Sequence, residues 1–234
     1  MTRRKVQLPS EEREVMYSEE HWRLLRALRQ RALHIMCALK KYSLNPIVHG
    51  SIARGDVNPQ SDIDVVIPYT IPPFLVEQAL ADSGFNVIYR EIVQATPAHA
   101  VKAYIYISER EVVSLPLTHL SYLEREFYRF GGELDFESLK SDLRVPGVDK
   151  RLMIIIPTKT GHREYSIIGR EAEVAQILKV SIDIVFEREK MLMKRREVGR
   201  TGVFLKVSVP PFKSIEEVFE DLISAGRIKP RRLE

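Results

Sequence analysis

The chain contains little cysteine and tryptophan and no long apolar run. Cys37 is its single cysteine in 234 residues, so no disulfide can form within the chain. Its apolar runs extend for only a handful of residues, far short of the ~20 that span a bilayer. The first residues are polar and charged, unlike a secretory signal. These absences predict a cytoplasmic protein with no membrane partner, and Cys37, in a helical pattern, is expected to be buried.

The chain also has little excess charge of either sign. Lys and Arg total 36 against 32 acidic residues, a formal charge of +4, which neither requires nor excludes a nucleic-acid partner. Towards the end, however, basic residues collect: Lys190, Lys194, Arg195, Arg196, Arg200, Arg227, Lys229, Arg231 and Arg232. A basic C-terminal surface would suit a polyanion, and a plain solvated surface is the alternative interpretation.

Asp62 and Asp64 lie in a segment with the alternating pattern of a β-strand. Successive strand residues point to opposite faces, so both carboxylates project from one face, roughly 6.6 Å apart along it. Ile63, Val65 and Ile67 then point the other way, into a core. Two carboxylates this close repel each other, and Mg²⁺ (or Mn²⁺) between them would relieve the repulsion. The pattern therefore predicts a metal site.

A glycine turn precedes the two aspartates. Residues 45–48 predict a short strand, and Ile52 follows the turn where a helix can begin. At such a turn, Gly50 lets backbone amides approach a phosphate, and the start of a helix adds a favourable partial charge. Ser51 offers a hydroxyl and Arg54 a fixed cation for phosphate oxygens. A phosphate-binding turn beside paired carboxylates is what nucleotidyl transfer requires.

Gly50-Ser51, followed after ten residues by Asp62-x-Asp64, resembles the signature of the DNA polymerase beta-type nucleotidyltransferase superfamily, in the form of its minimal and archaeal members. The resemblance implies transfer of a nucleoside monophosphate from an NTP to a hydroxyl acceptor, with release of pyrophosphate. It also implies that Asp62 and Asp64 are catalytic and bind Mg²⁺, while Gly50, Ser51 and Arg54 hold the triphosphate. The family fold is expected to extend to about residue 145.

Active members of that family carry a third acidic residue on a neighbouring strand, where it helps to deprotonate the attacking hydroxyl. Here the corresponding slot, flanked by apolar residues in the strand predicted at 111–117, holds Ser114. Glu111 begins the same strand but points to the opposite face. Glu91, in the strand predicted at 87–93, is the other candidate. The sequence leaves the third acid unassigned.

The remaining pattern alternates helices and strands and predicts an α/β (α+β) domain with a mixed sheet. Helices are expected at 19–41, 74–83, 120–130 and from 133–138, and strands at 87–93, 101–107, 111–117 and 152–157. Surface arginines of the first helix are expected to face solvent: Arg23, Arg26, Arg29 and Arg31. Residues 158–164 are expected to form a polar loop in which His162 is incidental. The predicted division is a nucleotidyltransferase domain at 1–145 and a smaller, basic, mainly helical domain at 146–234.

The second domain resembles a winged helix-turn-helix. Residues 171–178 would form one helix, 179–180 the turn, and Ser181 would cap a second helix, with 202–209 as the wing. One long helix over 171–197 is the alternative. The would-be recognition helix also contains acidic residues that phosphates would repel: Asp183, Glu187 and Glu189.

Two functions therefore remain open. One is a metal-dependent nucleotidyltransferase whose acceptor is an RNA end, a protein side chain or a small molecule. The other is a nucleotide- or nucleic-acid-binding module or regulator that has kept the fold and lost the chemistry. The sequence specifies neither the preferred base nor the oligomeric state.

Overall fold

The computed structural model describes residues 11–199 and 202–228, which form eight helices and eleven strands. The strands are β1 (Arg13–Met16), β2 (Ile47–His49), β3 (Ile63–Val66), β4 (Tyr89–Gln94), β5 (Val101–Ser108), β6 (Glu111–Pro116), β7 (Glu133–Asp135), β8 (Gly147–Val148), β9 (Met153–Pro157), β10 (Gly161–Ser166) and β11 (Leu205–Ser208). The helices are α1 (Glu19–Lys40), α2 (Ser51–Arg54), α3 (Pro73–Asp82), α4 (Tyr122–Gly131), α5 (Phe136–Lys140), α6 (Glu171–Leu178), α7 (Ile182–Val198) and α8 (Ile215–Ser224). The predicted mixed α/β class is confirmed.

Two compact units divide the described residues, and each gathers segments that are distant in the chain. Unit 1 consists of 11–31, 48–61 and 125–199, and unit 2 of 32–47, 62–124 and 202–228. The units interleave along the chain, whereas the predicted domains follow one another. One division falls between Ser61 and Asp62, so the glycine turn belongs to unit 1 and the two aspartates belong to unit 2.

Unit 2 contains five neighbouring strands in the order β11, β4, β5, β6 and β3. β3 runs parallel to β6, and the other neighbours are antiparallel, so the sheet is mixed as predicted. One face of these strands forms a core with fully buried Val65, Val113, Ile105 and Ile92. The opposite face carries the polar residues that alternate with them, including Asp64.

Unit 1 contains a four-stranded antiparallel sheet in the order β1, β10, β9 and β8. The polar loop expected at 158–164 is wrong from Gly161 onward, because this segment is the start of β10. Its polar Glu164 is only 1 % exposed. Arg13 contacts this carboxylate from one side, and Arg151 Nη2 lies 2.5 Å from it on the other. Paired charges therefore let a polar sequence occupy a buried strand.

His162 is also buried on β10, so its expected position in a loop is wrong. Its Nδ1 lies 2.7 Å from Tyr17 Oη, and the two rings meet edge to face. Burial raises the pKa of Tyr17, and the negative charge of Asp56 acts in the same direction. His162 is thus part of a buried polar cluster of unit 1.

The helix expected from residue 133 begins later than predicted. Glu133–Asp135 is the short strand β7, and α5 follows it directly. Asp135 caps α5, because its side chain accepts a hydrogen bond of 2.7 Å from the Ser138 amide. Asp135 therefore lies before the helix and not inside it.

The two helices predicted at 171–178 and after Ser181 are confirmed as α6 and α7, and the single long helix is wrong. Lys179 ends α6 in the left-handed conformation, with φ 53°, which interrupts helical hydrogen bonding. The predicted wing, however, is β11, which pairs with β4 in the sheet of unit 2. The wing interpretation is therefore wrong: the strand exists, but its partner belongs to the sheet that carries Asp64.

The predicted helix at 19–41 is confirmed as α1. Ala32, Ile35, Met36 and Leu39 form its buried stripe in unit 2. Cys37 falls off this stripe and is exposed, so its expected burial is wrong. Neither α1 nor any other helix in the described residues combines the length and apolar character needed to cross a membrane.

Candidate active site

The glycine turn of unit 1 depends on a conformation that only glycine adopts readily. Gly50 has φ 81° and ψ −139°, where a side chain would be strained. Its amide donates to the Gly132 carbonyl at 2.9 Å, and its own carbonyl accepts from the amides of Ala53 and Arg54 at 3.0 Å. The chain therefore leaves β2 and enters α2 within a single residue. This local geometry is the strand–turn–helix that the sequence predicted.

Ser51, the first residue of α2, is half-buried. Its hydroxyl donates to Ser61 Oγ at 3.4 Å, and Ser61 Oγ also accepts a bond of 2.9 Å from the Asn58 amide. The loop that leads to the aspartates is thus closed back on α2. The contact between Ser51 and a phosphate stays a prediction.

Arg54 is buried in unit 1, at 5 % exposure, and its guanidinium is held by internal partners. Nε and Nη2 donate to the two carboxylate oxygens of Asp56 at 2.9 and 3.0 Å, and Nη1 donates to the Gly131 carbonyl at 2.6 Å. Burial alone would raise the pKa of Asp56, but the charge and hydrogen bonds of Arg54 hold it below its ordinary value. The structure shows Arg54 fixing the turn, and its predicted contact with a triphosphate stays a prediction.

A second buried arginine supports α2, and sequence reasoning missed it. The expected solvent exposure of Arg29 is wrong, because this side chain is 3 % exposed. It donates from Nε to the Ile52 carbonyl at 3.1 Å and from Nη2 to the Ala53 carbonyl at 3.2 Å. Nη1 pairs with Asp142 at 2.9 Å. A lone arginine on the apolar side of an amphipathic helix was the available signal.

The two aspartates of unit 2 alternate with buried residues as predicted. Asp62 directly precedes β3 and is exposed, and Asp64 is half-buried. Ile63 and Val65 between and after them are 3 % and 0 % exposed. Both carboxylates therefore stand on the polar face, roughly 6.6 Å apart along the strand.

Strand register determines which other side chains share this face. Residues that are directly opposite each other on neighbouring strands point to the same side of the sheet. Two rows cross the face: Asp64, Val112, Tyr106 and Tyr89 in one, and Val66, Ser114, Tyr104 and Glu91 in the other. The aspartates, Ser114 and three tyrosines thus belong to one surface of unit 2.

Ser114 occupies the position where a third acid was expected. It lies on β6, next to β3, and it is 7 % exposed. Strand geometry places its Cα about 8 Å from that of Asp64, two residues along and one strand across. A serine hydroxyl at this point can accept or donate a hydrogen bond, but it is a poor base.

Neither acidic alternative replaces the missing carboxylate. Glu111 is level with Ile63 and so belongs to the apolar face, as predicted. Glu91 is on the correct face but three strands from β3, about 14 Å away. It also lies 2.8 Å from Lys206 Nζ. Within the described residues, no cluster of three or more His, Cys, Asp or Glu side chains forms a metal-binding group.

The tyrosines of this face form an aromatic surface that sequence reasoning missed. The rings of Tyr89 and Tyr106 stack with centroids 4.0 Å apart and 10° between their planes. The ring centroids of Tyr104 and Tyr106 are 6.5 Å apart. Burial raises the pKa of Tyr106, as does its hydrogen bond with Tyr89, so it is a neutral phenol at ordinary pH. The alternation of Tyr104 and Tyr106 along one strand was a usable signal.

The segment that contains the glycine turn and the two aspartates can be compared with known proteins. Residues 29–114 match the family model of the nucleotidyltransferase domain. The match includes Gly50, Ser51, Asp62 and Asp64 and ends at Ser114. This part of the chain is therefore similar to nucleotidyltransferase domains, and the match supports nucleoside monophosphate transfer as a general function. No curated protein and no solved structure matched the chain.

Proposed function

We propose that this protein transfers a nucleoside monophosphate from an NTP to a hydroxyl acceptor, in a reaction that depends on a divalent cation. The observation that carries the proposal is the pair of Asp62, directly before β3, and Asp64, on its polar face, inside the segment that matches the nucleotidyltransferase family. A buried apolar face behind them fixes the direction of both carboxylates.

The donor set suits a hard cation. Asp62 and Asp64 supply carboxylate oxygens, and Mg²⁺ is commonly bound by one or two carboxylates together with substrate phosphates and water. These two residues would hold Mg²⁺ or Mn²⁺. Such an ion, when bound, stabilises negative charge that develops on the phosphate and the leaving group.

The glycine turn would bind the triphosphate. The turn at Gly50 would present the backbone amides that follow it at the start of α2, and Ser51 would add a hydroxyl. Arg54, the third predicted triphosphate residue, supports the same turn from its buried position through Asp56 and the Gly131 carbonyl. Binding and orientation by these residues require no proton transfer.

The acceptor would meet the polar face of the unit 2 sheet. Tyr104 and Tyr106 offer planar surfaces there, which favours an RNA end or another acceptor that carries a ring over a purely aliphatic one. Ser114 would contact the acceptor hydroxyl as a hydrogen-bond partner.

A second candidate function follows from Ser114 itself. A nucleotidyltransferase without a third carboxylate lacks the group that accepts the proton from the acceptor. The protein would then bind a nucleotide or a nucleic acid and regulate another process, with little turnover. The buried serine on the face of the aspartates is the observation that favours this alternative.

Transfer assays with each labelled NTP, Mg²⁺ or Mn²⁺, and RNA, protein and small-molecule acceptors test the proposal. We expect labelling by the wild type and a loss of about 10³-fold or more in Asp62→Asn, because an ion at this position contributes several kcal/mol. Glu109→Gln, in the exposed turn between β5 and β6, is the matched control and should keep full activity. NTP binding without transfer would favour the second function, and absence of both would contradict the two together.

A further inference from the structure

Arg188 on α7 is a half-buried cation. Its Nε is buried and has no hydrogen-bond acceptor, and no carboxylate of the described residues pairs with its guanidinium. Burial, first of all, and the charge of Arg195 lower the pKa of Arg188 to about 10, against the opposing charge of Glu187. Arginines in such positions normally have a carboxylate or a phosphate beside them, so its position is unexplained by the fold alone.

The surroundings hold Arg188 in place. Glu126 on α4 is 4 % exposed, and its carboxylate accepts hydrogen bonds from the amide and the hydroxyl of Ser181, the residue that precedes α7. This contact fixes the start of α7 against α4. Two helical turns further on, the Arg188 guanidinium lies over the Phe127 ring, 4.6 Å from its centroid. The aromatic ring orients the planar cation.

The cation lies near the glycine turn within unit 1. The Phe127 ring contacts the His49 imidazole, with centroids 5.1 Å apart, and His49 directly precedes Gly50. A single aromatic ring therefore separates Arg188 from the residue that leads into the turn. Arg195, seven residues after Arg188 and so on the same side of α7, adds a second positive charge.

We propose that Arg188, supported by the charge of Arg195, binds a phosphate group of the ligand. The planar fork of an arginine offers two parallel donors to phosphate oxygens, and the ligand would supply the missing negative charge. The phosphate belongs either to the triphosphate tail of a nucleotide or to the backbone of a nucleic-acid acceptor. The choice of these two ligands rests on the proposed function. The position of Arg188 itself is taken from the structure.

Binding assays without Mg²⁺ test this site separately from catalysis. Inorganic tripolyphosphate, an NTP and a single-stranded oligonucleotide would be titrated by calorimetry into the full chain and into Arg188→Met, which keeps the bulk but removes the charge. We expect at least one of these ligands to bind about 10-fold more weakly to the variant. Lys190→Met, an exposed charge on the same helix, should change these affinities less than twofold.

The three titrations also identify the source of the phosphate. Weaker binding of tripolyphosphate and the NTP alone assigns Arg188 to the nucleotide tail, and weaker binding of the oligonucleotide alone assigns it to the acceptor. Unchanged affinity for all three ligands would overturn the proposal. Absence of transfer with phosphate binding retained would count against the enzyme and leave the site standing.

A stability measurement separates binding from a structural role. Removing an unpaired cation should leave the melting temperature of the ligand-free Arg188→Met variant equal to or above that of the wild type. A clear decrease would show that Arg188 serves the packing of α4 and α7 instead, which would also overturn the proposal.

Discussion

The two halves of the nucleotidyltransferase motif are built on opposite principles. In unit 1 the turn at Gly50 is held by buried, internally paired charges, above all Arg54 with Asp56 and Arg29 with the carbonyls of α2. In unit 2 the aspartates gain their direction from a buried apolar strand face, and their own face stays polar. Substitutions in the first half should therefore affect stability, and substitutions in the second half should affect chemistry.

Arg54→Met should give the largest effect on stability. The change leaves Asp56 buried without its partner, which costs about 3–5 kcal/mol of the free energy of unfolding. Urea denaturation measures it, with Arg26→Met, an exposed arginine of α1, as the control that should change little. A decrease in the free energy of unfolding of less than about 1 kcal/mol would contradict the claim that buried charge pairs hold the turn at Gly50.

Ser114→Asp should change the chemistry by the next largest amount. A carboxylate on β6, on the face of Asp64, restores a base for the acceptor hydroxyl and should raise the transfer rate by about 10²-fold. Single-turnover kinetics at saturating NTP measure this rate. Ser114→Asn, which has the same shape without the charge, should give no gain, and an equal gain in both variants would contradict a role for the carboxylate.

Glu164→Gln tests the buried charges of unit 1 through pH. Burial would raise the pKa of Glu164, but the His162 ring, whose Nε2 lies 3.6 Å from the carboxylate, and the charge of Arg151 lower it from 4.5 to about 2. The ionised group therefore stabilises the fold fully above pH 4.5, and this contribution is lost as the pH falls towards 2. At neutral pH the free energy of unfolding of the variant should be about 2 kcal/mol lower than that of the wild type. Between pH 4.5 and 2 it should also fall less steeply.

The matched control for this change is Glu14→Gln on β1, which is exposed and should retain the wild-type pH dependence of unfolding. If the free energy of unfolding of the wild type and of Glu164→Gln changed with pH in parallel, the ionised Glu164 carboxylate would not stabilise unit 1.

Tyr106→Leu should give the smallest effect. The substitution removes one stacking partner of Tyr89 and keeps an apolar residue in the row of Asp64. We expect a KM for an RNA acceptor about 10-fold higher, since the stacking of a base contributes 1–3 kcal/mol. Tyr42→Phe, a tyrosine outside this sheet, is the control, and an unchanged KM would exclude the aromatic surface from acceptor binding.

The sequence predicted the parts of the site that depend on neighbours in the chain. The alternation around Asp62 and Asp64 specified their common face, and Gly50 specified the turn, because both follow from local backbone geometry. The alternation within β6 also indicated that Ser114 and Glu111 point to opposite faces. Local rules were sufficient for these features.

The remaining features depend on partners far away in the chain. Arg29 and Glu164 are buried because residues more than a hundred positions distant pair with them, Asp142 and Arg13 respectively. The pairing of β11 with β4 likewise joins segments that no local pattern connects. Polar sequences with such partners resemble solvent-exposed segments, which is why the loop predicted at 158–164 included the first residues of β10.

Binding of Mn²⁺ in the presence of a non-hydrolysable NTP analogue, followed by electron paramagnetic resonance, tests most directly whether Asp62 and Asp64 together hold a divalent cation. We expect the wild type and Glu109→Gln to bind equally well, and Asp62→Asn and Asp64→Asn each to bind about 10-fold more weakly or worse, because each change removes a carboxylate ligand. Equal Mn²⁺ affinity in all four proteins would contradict a metal site on this face of β3.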